Sequence, residues 1–251
     1  MQLFWRGLGV GGALAAVALA AVTLGIGSGL PQLVAQESKT AAAKTAAAKK
    51  PVKVSFVKKQ LDAAFRSEGV AVGDFNHDGK LDIAAGFVWY EAPEWKMHPI
   101  VEKVPEYNPM GYSNSFCNWA EDLNGDGWTD LIVVDFPGTP TWWFENPKQA
   151  GGPWKKHQAI PVTNNESPQY LDVDGDGKRE LVMAFAPSTP ESDGPERQMG
   201  IARPQKDPTA PWVIQAISAK GAPACQKYSH GLGIGDVNKD GRNDIVCPEG
   251  W

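Results

Sequence analysis

The chain has 251 residues, 42% of them apolar, which allows a sizeable core in one or two domains, and its formal net charge is −5. The charge is uneven: residues 1–50 hold five basic groups and one acid, so residues 51–251 hold 19 basic and 28 acidic groups, a net of −9. That part has no basic stripe, which argues against nucleic-acid binding, and Cys117, Cys225 and Cys247 lack the CxxC or CxxCH spacing of a zinc knuckle or c-type haem site.

Residues 1–35 read as a signal peptide or a membrane anchor. A short start ending in Arg6 leads into an uncharged run, Gly7 to Leu30, rich in Ala, Leu, Val and Gly, and Leu33-Val34-Ala35 stands where a cleavage site belongs. The many glycines weigh against a buried helix of the fold. Either reading places the rest of the chain outside the cytoplasm, whether secreted, periplasmic or on the cell surface. There Cys225 and Cys247 are open to pairing, with buried free thiols as the alternative. Residues 36–52 form an Ala/Lys low-complexity tether without an apolar face to pack.

From residue 53 a repeat takes over. The pattern D-x-[DN]-x-D-G-x-x-[DE] occurs at 74–82, 122–130, 172–180 and 236–244, with spacings of 48, 50 and 64 residues between first aspartates. Positions 1, 3, 5 and 9 supply side-chain oxygens: Asp74, Asn76, Asp78 and Asp82; Asp122, Asn124, Asp126 and Asp130; Asp172, Asp174, Asp176 and Glu180; Asp236, Asn238, Asp240 and Asp244. Position 7 supplies a main-chain carbonyl, from Lys80, Trp128, Lys178 and Arg242, and the glycine at position 6 permits the sharp turn.

Alternate residues of a tight loop can thereby present the six to eight hard oxygens, at about 2.3–2.6 Å, that Ca²⁺ requires. The expectation is about four Ca²⁺ per chain. An EF-hand is excluded, because its bidentate Glu at position 12 is replaced by Ala85, Val133, Met183 and Cys247. The loops hold 13 carboxylates, and four divalent ions would bring −9 to about −1, so metal accounts for the acidity without a cationic partner. Counting carboxylates, four in the third loop against three and an Asn elsewhere, makes the third site the tightest.

Short apolar runs flank every loop, so each loop is expected to join two strands. First strands are predicted at 69–73, 117–121, 169–171 and 231–235, and second strands at 81–85, 131–136, 181–186 and 245–247. Third strands end in Trp89-Tyr90-Glu91-Ala92-Pro93 and Trp143-Phe144-Glu145-Asn146-Pro147, with 198–203 as a diverged copy; fourth strands begin at Trp95, Trp154 and Trp212. Four strands per repeat make one propeller blade. The fold class is therefore all-β, a β-propeller of four-stranded antiparallel blades, incomplete at about three and a half blades. Residues 53–61 resemble a spare fourth strand able to close the last blade, because Trp251 stands where that blade's third strand would begin.

With these loops, this period and these aromatic strands, residues 53–251 resemble the FG-GAP/VCBS repeat family, the β-propeller repeats also found in integrin α subunits. The resemblance implies calcium on the same loop residues. It further implies a binding or scaffold module of secreted or surface proteins, with a glycan or extracellular protein as ligand. The alternative is the propeller part of a polysaccharide-cleaving enzyme whose active site needs further blades or another domain.

Little else offers catalysis. No Ser-His-Asp motif, Gly-rich phosphate loop or HExxH is present, and the loops claim most carboxylates, leaving no obvious acid/base pair. His98 and His157 occupy the same place in successive repeats and are expected to be packing positions. His77 points outward from its loop. His230, with Asn114-Ser115-Phe116, Asn165-Glu166-Ser167 and Ser67-Glu68, lies just before the first strands, where a propeller rim binds ligands or carries polar filler.

Overall fold

A computed structural model describes residues 54–186 and 194–251; the leader and the tether lie outside the described residues. Three four-stranded sheets and one two-stranded sheet follow in chain order, and every pairing is antiparallel. The first comprises β1 (Val70–Gly73), β2 (Asp82–Ala85), β3 (Val88–Glu91) and β4 (Lys96–Pro99). The second comprises β5 (Cys117–Glu121), β6 (Asp130–Val134), β7 (Thr139–Glu145) and β8 (Lys155–Thr163). The third comprises β9 (Gln169–Leu171), β10 (Glu180–Phe185), β11 (Gln198–Arg203) and β12 (Val213–Ala216), and the last pairs β13 (Gly233–Gly235) with β14 (Asp244–Val246). This is an all-β, incomplete propeller, and each acidic loop joins the first strand of a blade to its second. Among the described residues no helix is long and apolar enough to cross a membrane.

The core lies between blades. Every residue of β6 is buried, because a sheet covers it on each face. Leu131 and Val133 pack with Ala71, Trp89 and Ile100 of the first blade, whereas Ile132 and Val134 pack with Leu181, Met183 and Trp212 of the third. β10 repeats the arrangement, sending Leu181 and Met183 one way and Val182 and Ala184 toward Cys225 and Leu232. Each Val, Leu, Ile or Met among these, fully withdrawn from water, contributes about 1.5–3 kcal/mol. Alternation thus persists inside runs that are apolar at every position.

Backbone contacts join the blades as well. Trp154 donates its N–H to the Ile100 carbonyl at 2.8 Å, and Trp212 donates to that of Ala159 at 2.8 Å, so the Trp before β8 and the Trp before β12 are each tied to the preceding blade. At the inner ends the approach is closer still. A Cβ on Gly69 would stand 2.6 Å from the carbonyl oxygen of Phe116, which is why that position carries no side chain.

The segment expected as a spare strand differs. Residues 54–61 contain no strand, and Phe56 and Val57 are 92% and 95% exposed. The chain instead turns to the first blade: Lys59 Nζ lies 5.5 Å from the centre of the Trp95 ring, and the Asp62 carboxylate accepts hydrogen bonds from Arg66 Nε and Tyr90 Oη at 2.8 and 2.9 Å. Capture of Asp62 fixes the segment on the first blade. All three cysteines are free thiols, with Cys225 fully buried.

Candidate functional site

The four acidic loops share one path. Position 4, held by His77, Gly125, Gly175 and Lys239, is left-handed with φ of 60, 71, 80 and 63°, and the position-6 glycines 79, 127, 177 and 241 lie at 83, 87, 86 and 86°. These two left-handed residues fold the chain back on itself, so that main-chain N–H groups meet the loop's own side-chain oxygens. In the first loop, Asp74 accepts from Asp78 N–H at 3.0 Å and Gly79 N–H at 2.8 Å, Asn76 Oδ1 accepts from Asp78 N–H at 3.1 Å, and Asp78 accepts from Lys80 N–H at 2.9 Å. The second and fourth loops repeat this scheme. In the third, Asp172 Oδ1 accepts from Gly175 N–H at 2.7 Å, and the ligand atoms of Asp172, Asp174 and Asp176 all lie within 4.8 Å of one another.

Position 9 is a strut of the loop. The Asp82 carboxylate accepts from the N–H groups of Phe75 and Ala92 at 3.0 and 2.8 Å, and that of Asp130 from Leu123 and Asn146 at 3.1 and 2.8 Å. Glu180 and Asp244 hold the N–H groups of Val173 and Val237, both at 2.9 Å. Asp82, Asp130 and Glu180 are buried, and burial raises all three pKa values, pushing Asp130 up to about 7 against the pull of its two N–H partners. A divalent cation beside such a group favours its ionised form. Each carboxylate oxygen holding one N–H keeps a second lone pair. The donor set consists of oxygens alone, as a hard cation such as Ca²⁺ prefers, and the one gathered acidic group among the described residues contains neither His nor Cys.

Each loop also meets a basic side chain. Lys80 pairs with Asp78 at 2.8 Å, Lys148 with Asp126 at 3.0 Å and Arg242 with Asp240 at 3.0 Å, all at position 5. The third loop departs from this: Arg203, at the end of β11, reaches Asp174 at 2.8 Å and Glu180 at 3.8 Å, and its hydrogen bond holds the Asp174 carboxyl below its usual range.

Successive loops touch. Asn146 donates from Nδ2 to the carbonyls of Phe75, in the first loop, at 2.8 Å and Thr129, in the second, at 2.9 Å. The Trp128 and His77 rings lie 5.3 Å apart, Arg179 pairs with Glu121 at 3.4 Å, and Asn243 Nδ2 donates to the Asp172 and Val173 carbonyls at 3.3 Å. The sequence motif gave no role to Asn146 or to position 8, where Arg179 and Asn243 stand. The repeated Glu-x-Pro ending was the available signal for Asn146. A groove of about 240 Å³ bordered by Asn76, His98, Trp128 and Asn146 lies beside the first two loops, and a cleft of about 670 Å³ separates the second from the third.

The remaining candidates have structural partners. His98 stacks on Trp89 with centroids 4.3 Å apart and lies 2.7 Å from Glu91, while His157 stacks on Trp143 at 4.3 Å and lies 2.9 Å from Glu145. They are equivalent packing positions, as their spacing predicts. The expected polar rim is turned inward only in part. Ser115 is buried and donates to Asn118 Oδ1 at 2.9 Å, and buried Asn165 accepts from Ala184 N–H at 2.9 Å. Glu68, Asn114 and His230 stay exposed, and the half-buried Glu166 lies 3.2 Å from His230.

Comparison with known families agrees with this geometry. Residues 122–183 match the FG-GAP-like repeat and residues 68–87 match the FG-GAP repeat, each span containing loop and flanking strand. No curated protein matches the chain.

Proposed function

Because the chain is an FG-GAP repeat protein folded as an incomplete β-propeller, we propose that it is an extracytoplasmic binding or scaffold module whose loops hold Ca²⁺ and whose ligand is a glycan or protein. The observation that carries this reading is the common loop path, in which oxygens from positions 1, 3 and 5 are oriented by the loop's own N–H groups in all four copies. Asp74, Asn76 and Asp78 and their counterparts would hold the ion together with the position-7 carbonyl, and position 9 would close each site. Bound Ca²⁺ supplies the positive charge that offsets the carboxylates crowded along this face.

The first and second loops touch, so filling them stiffens the surface they share, bordered by Trp128 and His98. An aromatic ring beside polar groups suits a sugar face or an extended peptide. Calorimetric titration of the metal-free chain with Ca²⁺ tests the metal reading. Uptake of about four ions, with one lost in each of Asp126→Ala and Asp176→Ala, is the expected result. No uptake, or uptake indifferent to both substitutions, overturns it. A glycan array probed with and without Ca²⁺ then addresses the ligand class.

A further inference from the structure

Resting on the calcium reading, we propose that Arg203 is a built-in counter-ion of the third loop, so that this site fills after the first and second despite its fourth carboxylate. The comparison between blades carries the argument. Glu91, Glu145 and Arg203 are the last residues of β3, β7 and β11. Two residues earlier stand Trp89, Trp143 and Ile201, paired across the sheet with His98, His157 and Gln215. The third blade has therefore exchanged a whole set, Trp, His and Glu becoming Ile, Gln and Arg.

The loop beneath has changed in step. In the first blade Glu91 accepts a hydrogen bond at 3.3 Å from the amide of Asn76, at loop position 3. In the third blade position 3 is Asp174 and its partner is Arg203. A glutamate left opposite Asp174 would set two carboxylates against each other, and arginine removes that repulsion. The fourth carboxylate is thus matched from within the fold and adds no free charge for a metal.

The other loop cations differ in kind. Lys80, Lys148 and Arg242 each meet one carboxylate, and their side chains are 53, 47 and 84% exposed. Arg203 is 32% exposed, stands on a strand, meets position 3 and buried position 9 together, and is braced by Gln215 at 3.3 Å. A planar guanidinium held by three partners loses little entropy on bridging, whereas an ammonium on a free stem loses more. An ion entering the third loop must draw Asp174 away from this grip.

The position-6 glycines report each loop separately, since every one donates its N–H to a position-1 carboxylate. Ca²⁺ is titrated into the full chain while the amide resonances of Gly79, Gly127, Gly177 and Gly241 are followed by ¹H–¹⁵N NMR. Gly177 should shift at higher Ca²⁺ than Gly79 and Gly127. Arg203→Gln should lower its midpoint by about five- to tenfold, the weight of a partly exposed charge-assisted pair, and leave Gly79 and Gly127 in place. Arg203→Lys keeps the charge but loses the planar fork, and should place the Gly177 midpoint between those of the parent and Arg203→Gln. A Gly177 midpoint at or below those of Gly79 and Gly127 in the parent, or unmoved by Arg203→Gln, overturns the proposal while leaving the calcium reading intact. No shift at any of the four glycines overturns both.

Discussion

Asn146 is the test of how strongly the blades depend on one another. Its side chain is buried, donates to the Phe75 and Thr129 carbonyls at 2.8 and 2.9 Å, and accepts from Lys148 N–H at 2.9 Å. Asn146→Ala removes all three bonds but keeps the main-chain N–H that serves Asp130. Each lost bond costs about 1 kcal/mol net, and a buried carbonyl left without a donor adds to that, so the expected loss is about 2–4 kcal/mol. For a folded unit of this size about 1 kcal/mol moves the melting midpoint by roughly 2–4 °C, so the variant should melt about 5–15 °C below the parent. Circular dichroism or calorimetric melts in excess Ca²⁺ measure this. Because one carbonyl belongs to the first loop, the Gly79 amide should also titrate at higher Ca²⁺ in the variant. A midpoint within about 1 °C of the parent would refute the reasoning, showing that the Phe75 and Thr129 carbonyls find other donors.

Two further outcomes follow from the same geometry. On the calcium reading each filled site adds RT ln(1 + [Ca²⁺]/Kd), about 2.7 kcal/mol at a hundredfold excess; excess chelator should lower the melting midpoint by many degrees, and an unchanged melt would mean that the loops are ordinary turns. Asp62 has its pKa lowered to about 2, first by the Ala64 N–H and then by Arg66 and Tyr90. Its contribution, about 1–2 kcal/mol once its partial exposure is discounted, is present above pH 4 and is lost as the pH falls toward 2. Asp62→Asn should therefore be destabilising at pH 7 and nearly neutral at pH 2, as chemical denaturation at the two pH values would reveal; an equal deficit at both would assign the effect to geometry and not to charge.

The acidic loops and most strands were legible in the sequence because what shapes them is local. The loop hydrogen bonds span two to five residues, as from Asp78 N–H to Asn76 and from Gly79 N–H to Asp74. A pattern nine residues long therefore contains nearly its whole cause. β5, β9 and β11 occupy the spans the repeat predicts, because each loop and each Trp marks a strand boundary. Position 4 was legible only in part, since His77 and Lys239 take the left-handed conformation that glycine holds in the other two loops.

Tertiary structure decided whatever depends on a partner distant in the chain. Hydropathy could not assign the two faces of β6, because its residues 131–134 are all apolar; only the neighbouring sheets separate Leu131 from Ile132. Asn146 bonds a carbonyl 71 residues earlier, and Arg203 meets an aspartate 29 residues away. Ser115 and Asn165 looked like rim residues until the bends before β5 and β9 turned them inward. Residues 54–61 carry apolar residues of the kind a strand uses, yet strand pairing needs an open edge beside it. Asp62 holds the end of that segment against Tyr90 on the first blade, and that choice rests on one carboxylate finding an arginine and a phenol that no short window of sequence places together.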